Sequence, residues 1–251
     1  MQFRLKAFGL HLLGSATALA LVLGALYLGW YRWPGWYLSG VLHVVGILIL
    51  VDVALGPTLT LIIANPGKPR RELTRDVAMI VTVQLAALIY GSAALWQGRP
   101  LYYSFSADRL EFVSASDIDR DEIRSALQQN PGLAPHWYSR PRWVWAPLPD
   151  DPEEAMKIVQ GAVLGGKDVI DMPRYYRPWD QGLPKLREKL AELDKIQYLS
   201  KKEKQSLRAH FAAQGLAPDQ RNALMMWGSS RRLLAVFDPA TLRLKALFIP
   251  G

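Results

Sequence analysis

The sequence predicts an α-helical membrane domain of three transmembrane helices, followed by an α+β domain with an antiparallel sheet. Three observations carry this reading. Residues 8–30, 38–64 and 77–97 are apolar runs, each long enough as a helix to cross a hydrocarbon core of roughly 30 Å. The charge is split: Asp52, Glu72 and Asp76 are the acidic residues of positions 1–97, and the rest of the chain's 22 acidic residues lie beyond them. From residue 98 onward, short alternating and amphipathic segments are separated by Pro, Gly and Asn, as in a domain with its own core. The expected domains are therefore 1–97 and 98–251.

The first span follows a basic head, Arg4 and Lys6, and His11, Ser15 and Thr17 are its polar residues. A cleavable signal would end near Ala18-Leu19-Ala20; the apolar run continues past that point and two more spans follow, so the helix reads as retained. Gly14 with Ala18, Ala20 with Gly24 and Ala25 with Gly29 place small residues four apart, a spacing that lets helices approach closely. The second span contains Asp52 and the Gly56-Pro57 break. The third ends in Tyr90-Gly91 and then Arg99-Pro100.

Charge sets the expected orientation. The loop after the first span, Trp30-Tyr31-Arg32-Trp33-Pro34-Gly35-Trp36-Tyr37, is aromatic with one cation. The other side carries Arg4 and Lys6, then Lys68, Arg70, Arg71 and Arg75. The positive-inside bias makes the amino terminus and the second loop cytoplasmic, and everything after Trp96 external, which in a Gram-negative cell is periplasmic.

In the second domain, residues 101–106 and 110–115 predict a β-hairpin, and 119–129 a helix stopped by Asn130-Pro131-Gly132. Residues 142–146 read as a strand among prolines. Asp151-Pro152-Glu153-Glu154 opens a helix that ends near Gly165-Gly166. Prolines 173, 178 and 184 make 168–183 an ordered loop. Helices are expected over 184–195 and 200–214, the second opened by a Ser200-to-Glu203 capping box. Strands near 223–227, 233–237 and 242–249 close the chain, the last two joined at Asp238-Pro239-Ala240-Thr241.

Composition excludes several chemistries. With no cysteine, there are no disulfides, thiolate metal sites or thiol nucleophiles. The net charge of +8 comes half from span-flanking residues and half from a mixed surface, which points to anionic lipid headgroups and not to nucleic acid. His11, His136 and His210 lack metal-ligand spacing, and Gly165-Gly166-Lys167-Asp168 lacks the second glycine and the hydroxyl of a phosphate loop. Ser39 and His43 lie one turn apart without a nucleophile elbow or oxyanion motif. No catalytic residue, cofactor or metal site is therefore expected.

Two features point to binding. Asp52 is a carboxylate in mid-span, costly unless paired, protonated or facing water. It either bonds within the bundle, for example to Thr82, Gln84 or Tyr90, or receives a partner's polar group. Pro57 loosens the same helix and, with Gly56, opens a groove beside it or simply packs. In the second domain, Trp137, Tyr138, Trp143, Trp145, Tyr175, Tyr176 and Trp179 are interleaved with Arg140, Arg142, Arg174 and Arg177. Trp, Tyr and Arg are enriched at interface hot spots, and equally such rings fill a core or lie on lipid. The candidate partner-binding residues are Asp52, Gly56, Pro57, Gln84, Tyr90, Trp143, Trp145, Arg174, Tyr175, Tyr176 and Trp179.

The order Asp52, Gly56-Pro57 with Leu59-Thr60, Lys68, Asp76, Gln84, Ala87-Leu88, Tyr90-Gly91 and Arg99-Pro100 resembles the type IV pilin accessory proteins (TfpX/TfpZ family). The resemblance is dense over residues 1–120 and thin beyond. It implies a bacterial inner-membrane protein without enzymatic activity that binds the major type IV pilin, works with the pilus assembly machinery and promotes pilus assembly as a chaperone. Pilins carry an apolar amino-terminal helix with a charged amine, which Asp52 would engage, while the aromatic set would meet the globular head. The alternatives that the residues leave open are a membrane-anchored periplasmic enzyme that modifies or hydrolyses pilin, and a sensor module.

Overall fold

The computed structural model describes residues 1–251 and divides into two compact units: Met1–Arg32 with Val41–Gly98, and Trp33–Gly40 with Arg99–Gly251.

The first unit is helical. Helix α1, Gln2–Leu26, runs on through a wide turn at Tyr27–Tyr31. After the short α2, Gly35–Leu38, which packs in the second unit, α3 spans Leu42–Ile49 and α4 spans Gly56–Ile63. Between these two lies a π-helical stretch, Leu50–Leu55. Helix α5, Arg70–Gln97, starts inside the basic cluster, earlier than hydropathy suggests, because hydropathy marks only the apolar part of a helix; Lys68 reaches Asp76 at 2.8 Å and ties the turn to it. The three stretches Gln2–Tyr31, Leu42–Ile63 and Arg70–Gln97 are long and apolar enough to cross a membrane. At their far ends α1 and α5 are joined by the Tyr31 hydroxyl, which donates to the Leu95 carbonyl at 2.6 Å, and by the Trp30 and Trp96 rings, 4.8 Å apart and edge-on.

The second unit is an α+β domain around one seven-stranded sheet, ordered β4-β3-β1-β2-β5-β6-β7. Strands β1 (Pro100–Ser106) and β2 (Arg109–Ser114) form the expected hairpin. Helix α6 (Arg120–Gln129) leads to β3 (Arg142–Trp145), which lies parallel to β1. Helix α7 (Pro152–Val163) is capped by Asp151, and β4 is the two-residue edge Arg177–Pro178. Then come α8 (Leu183–Lys189), α9 (Lys201–Ala213), β5 (Ala223–Trp227), β6 (Arg232–Phe237) and β7 (Leu244–Phe248). The sheet is mostly antiparallel, with two parallel contacts, β1 with β3 and β2 with β5. Parallel neighbours need a crossover of a dozen residues or more, and the long excursions before β3 and β5 supply it.

Period-two burial explains why these strands read as continuous apolar runs. In β6, Leu233, Ala235 and Phe237 enter one core with Tyr103, Phe105, Leu186 and Leu38, while Leu234 and Val236 enter another with Leu207 and Phe211 of α9. A third core, Tyr102, Val113, Val144, Ile158 and Tyr176, lies under α6 and α7. Both faces are covered, so alternation disappears from the sequence.

The helix expected over 184–195 stops at Lys189. Leu190 is buried, and Ala191 exchanges backbone hydrogen bonds with Ala223, 2.9 and 3.1 Å, so sheet pairing overrides helix propensity there. The capping box at Ser200 and Glu203 is present in both arms.

Candidate functional site

A polar layer crosses the helical unit, and Pro57 explains its origin. In the π-helical stretch the Gly56 N–H donates to the Val51 carbonyl, five residues back. The next donor in that pattern would be Pro57, which has none, so the Asp52 carbonyl is left without a helical partner. Gln84 on α5 supplies one: its Nε2 donates to the Asp52 carbonyl at 3.0 Å, with the Val51 carbonyl at 3.5 Å. Gly56 makes the approach possible, since a Cβ at that position would fall on the Gln84 amide.

Those carbonyls also fix the sense of the Gln84 amide. With Nε2 facing them, Oε1 faces His11 Nε2 on α1 at 2.7 Å, so that nitrogen is the donor. His11 Nδ1 then lies 2.5 Å from the Thr60 hydroxyl of α4, which donates to it in the neutral ring. Thr60, His11, Gln84 and Asp52 thus link all three long helical stretches; Asp52, Thr60 and Gln84 are buried.

The Asp52 carboxylate takes no part in this chain of bonds. The residue is 3% exposed, and its Oδ2 is buried without a hydrogen-bond partner. Beside it is a cavity of about 460 Å³. Its α1 wall is made of Ala7, Gly14, Ser15 and Ala18, its α5 wall of Val77, Val81, Leu85 and Leu88, and its floor of His11, Asp52, Thr60 and Gln84. Chemically this is an apolar groove with one unsatisfied acceptor at its base. It suits an apolar helix bearing a donor or a cation.

Four of the residues singled out in the sequence, Asp52, Gly56, Pro57 and Gln84, meet here. Tyr90 does not: it is 80% exposed on α5. The Thr82 hydroxyl, another partner considered for Asp52, donates to the Ala78 carbonyl of its own helix. His11 lacks metal-ligand spacing, but a histidine inside an apolar span is itself a signal of a polar partner.

In the second unit, Trp143, Trp145, Arg174, Tyr175, Tyr176 and Trp179 are partly or fully buried. Tyr176 is 1% exposed, its hydroxyl donating to the Ile170 carbonyl and its ring edge-on to Tyr102 at 4.9 Å. Arg174 pairs with Glu122 of α6 at 2.9 Å, and the Tyr175 hydroxyl donates to Glu154 of α7. Trp143 and Trp179, 5.1 Å apart, and Trp145 are half-buried against the core that contains Phe105 and Phe237. These side chains knit the 168–183 loop to the sheet and helices.

Close to that loop, Arg109 pairs with Glu111 and reaches Asp168 at 3.3 Å. Burial pushes the Asp171 carboxyl up to about 6, against the lowering effect of the Asp168 N–H that donates to it. Burial also raises Glu111, with Arg109 opposing it.

No protein-family model matches the chain, and no solved structure matches it significantly. Curated relatives do. The chain is 32% identical over 188 residues to "Fimbrial assembly protein, serogroup I" of Dichelobacter nodosus, which covers 74% of this chain and 70% of that protein. It is 35% identical over 124 residues to the protein named for serogroups C1 and C2, 49% of this chain and 95% of that one. For the serogroup E1 protein the identity is 32% over 189 residues, 74% and 70% of the two chains. With identity above three in ten across more than two thirds of both chains, this protein belongs to the fimbrial assembly protein family.

Proposed function

We propose that this chain acts in type IV pilus assembly as an accessory factor of the TfpX/TfpZ kind, without enzymatic activity. It sits in the bacterial inner membrane with its amino terminus cytoplasmic and its α+β domain periplasmic. It binds the major pilin, holding the pilin's apolar helix in the groove between α1 and α5 and presenting the subunit to the assembly machinery. The relatives named as fimbrial assembly proteins support the pathway. The resemblance over residues 52–100 supports the pilin as partner.

One observation supports the groove as the binding site: the buried Asp52 carboxylate has an oxygen without a partner beside a helix-lined cavity. An ionised carboxylate inside a bilayer is expensive unless it is paired, and an incoming amine or amide would pair it. Gln84 bonds the backbone carbonyl of Asp52 and not its side chain, so Asp52→Asn leaves that bond in place. Co-purification in mild detergent with the co-expressed major pilin tests the reading. Asp52→Asn is expected to lose pilin while remaining folded and membrane-inserted; undiminished pilin recovery with that variant would remove the groove from the account.

A further inference from the structure

The turn before β3 is the most exposed aromatic feature of the α+β domain. Trp137 is 73% and Tyr138 59% exposed, yet the turn is held by its own bonds. The His136 N–H donates to the Ser139 hydroxyl at 2.9 Å, and the Ser139 N–H to the His136 carbonyl at 3.1 Å. The His136 and Tyr138 rings stack at 5.4 Å, and Trp137 stands edge-on to Tyr138 at 5.5 Å, so three rings project as one tip. Residues 131–149 contain no acidic side chain. Arg142 turns inward to the Gly132 and Ala134 carbonyls, whereas Arg140 is exposed beside the rings.

Strand register places the tip. Arg142 pairs with Tyr102 near the start of β1, and β1 begins three residues after α5 ends at Gln97. Gln97 and Tyr102 are therefore at most about 18 Å apart along the chain. A bilayer crossed by α5 lies within that reach of the strand end from which the tip extends. The other chain segment that enters the domain from a long apolar helix arrives at the same end. Trp227 pairs with Glu111, Ser229 continues toward the Pro100–Ser114 end, and its N–H donates to the Leu38 carbonyl at 3.0 Å. Trp33, five residues before Leu38, is 42% exposed.

We infer that the His136–Arg140 tip is a membrane-interface anchor, its rings at the headgroup level of the bilayer and Arg140 on anionic phospholipid phosphates. Trp and Tyr suit this depth because each joins an apolar ring to one polar hydrogen-bonding group. Cations with no acidic neighbour are drawn to anionic lipid and not held by the protein itself. The spans keep the tip at high effective concentration near the surface, so a weak contact is enough to fix the domain's tilt.

The chain has no cysteine, so Tyr138→Cys carries a single fluorescent label in the full-length protein. It is reconstituted into phosphatidylcholine vesicles with and without phosphatidylglycerol. Asp108→Cys, in the turn at the opposite end of β1, is the reference. Brominated acyl chains are expected to quench the label at 138 several-fold more than at 108, and Arg140→Glu or omission of phosphatidylglycerol should reduce that difference. Equal weak quenching at both sites, no response to either charge change, or shielding at 138 that appears only when purified pilin is added would overturn the anchor.

Discussion

Gln84 Nε2 donates at 3.0 Å to the Asp52 carbonyl, the group that Pro57 leaves without a helical donor. A break in one helix is thus closed by a side chain from another. Gln84→Leu would strand that carbonyl and the His11 Nε2–H together. The expected loss is about 1–2 kcal/mol, the range for an unsatisfied polar group moderated by membrane context. Reversible unfolding in mixed detergent micelles measures it, and a change within error would mean that the layer contributes little to stability.

Gly56→Ala should be costly for a related reason. Its new Cβ would fall on the Gln84 amide, which three hydrogen bonds hold in place. Overpacking of this kind costs roughly 1–3 kcal/mol. Adding Gln84→Ala removes the obstacle, so the double variant should be more stable than the sum of the single losses predicts; strict additivity would show that the two residues do not collide.

Asp171 gives the α+β domain a pH dependence. Its carboxyl is raised from 3.8 to about 6 by burial, so the folded state favours the protonated form. That contribution to stability is fully present below the unfolded value of 3.8 and is lost as pH rises through about 6. Asp171→Asn keeps the acceptor for the Asp168 N–H without the ionisation. The variant should melt higher than wild type at pH 8, with the difference shrinking toward pH 4. Thermal melts across that range read it directly, and a constant offset at every pH would contradict it.

Much of the architecture is legible in the sequence, for identifiable reasons. Hydropathy over tens of residues locates the three long helices, and the Asp151 cap, the Ser200 capping box and the Asp238 turn mark their elements locally. The parallel pairings of β3 and β5 carry no such mark, because they depend on crossovers whose destination no nearby residue records. The 168–183 loop shows the same limit: Tyr175, Tyr176 and Arg174 look like a binding face by type, but their partners, Glu154, Ile170 and Glu122, are distant in sequence or set only by the fold. At the groove, Asp52 and Gly56-Pro57 stand out by chemistry alone. That Gln84 binds the Asp52 backbone and leaves its carboxylate without that partner is visible only in three dimensions.

In the proposed function, a pilin helix occupies the groove between α1 and α5. Photo-crosslinking from single sites on α5, in cells that co-express the major pilin, tests it most directly. Val81 and Leu88 line the groove, whereas Met79 and Ile89, on the same helix, are exposed and outside its lining. Pilin adducts are expected from positions 81 and 88, disappearing with Asp52→Asn, and none from 79 and 89. Adducts of equal yield from all four positions, or none from 81 and 88, would contradict it.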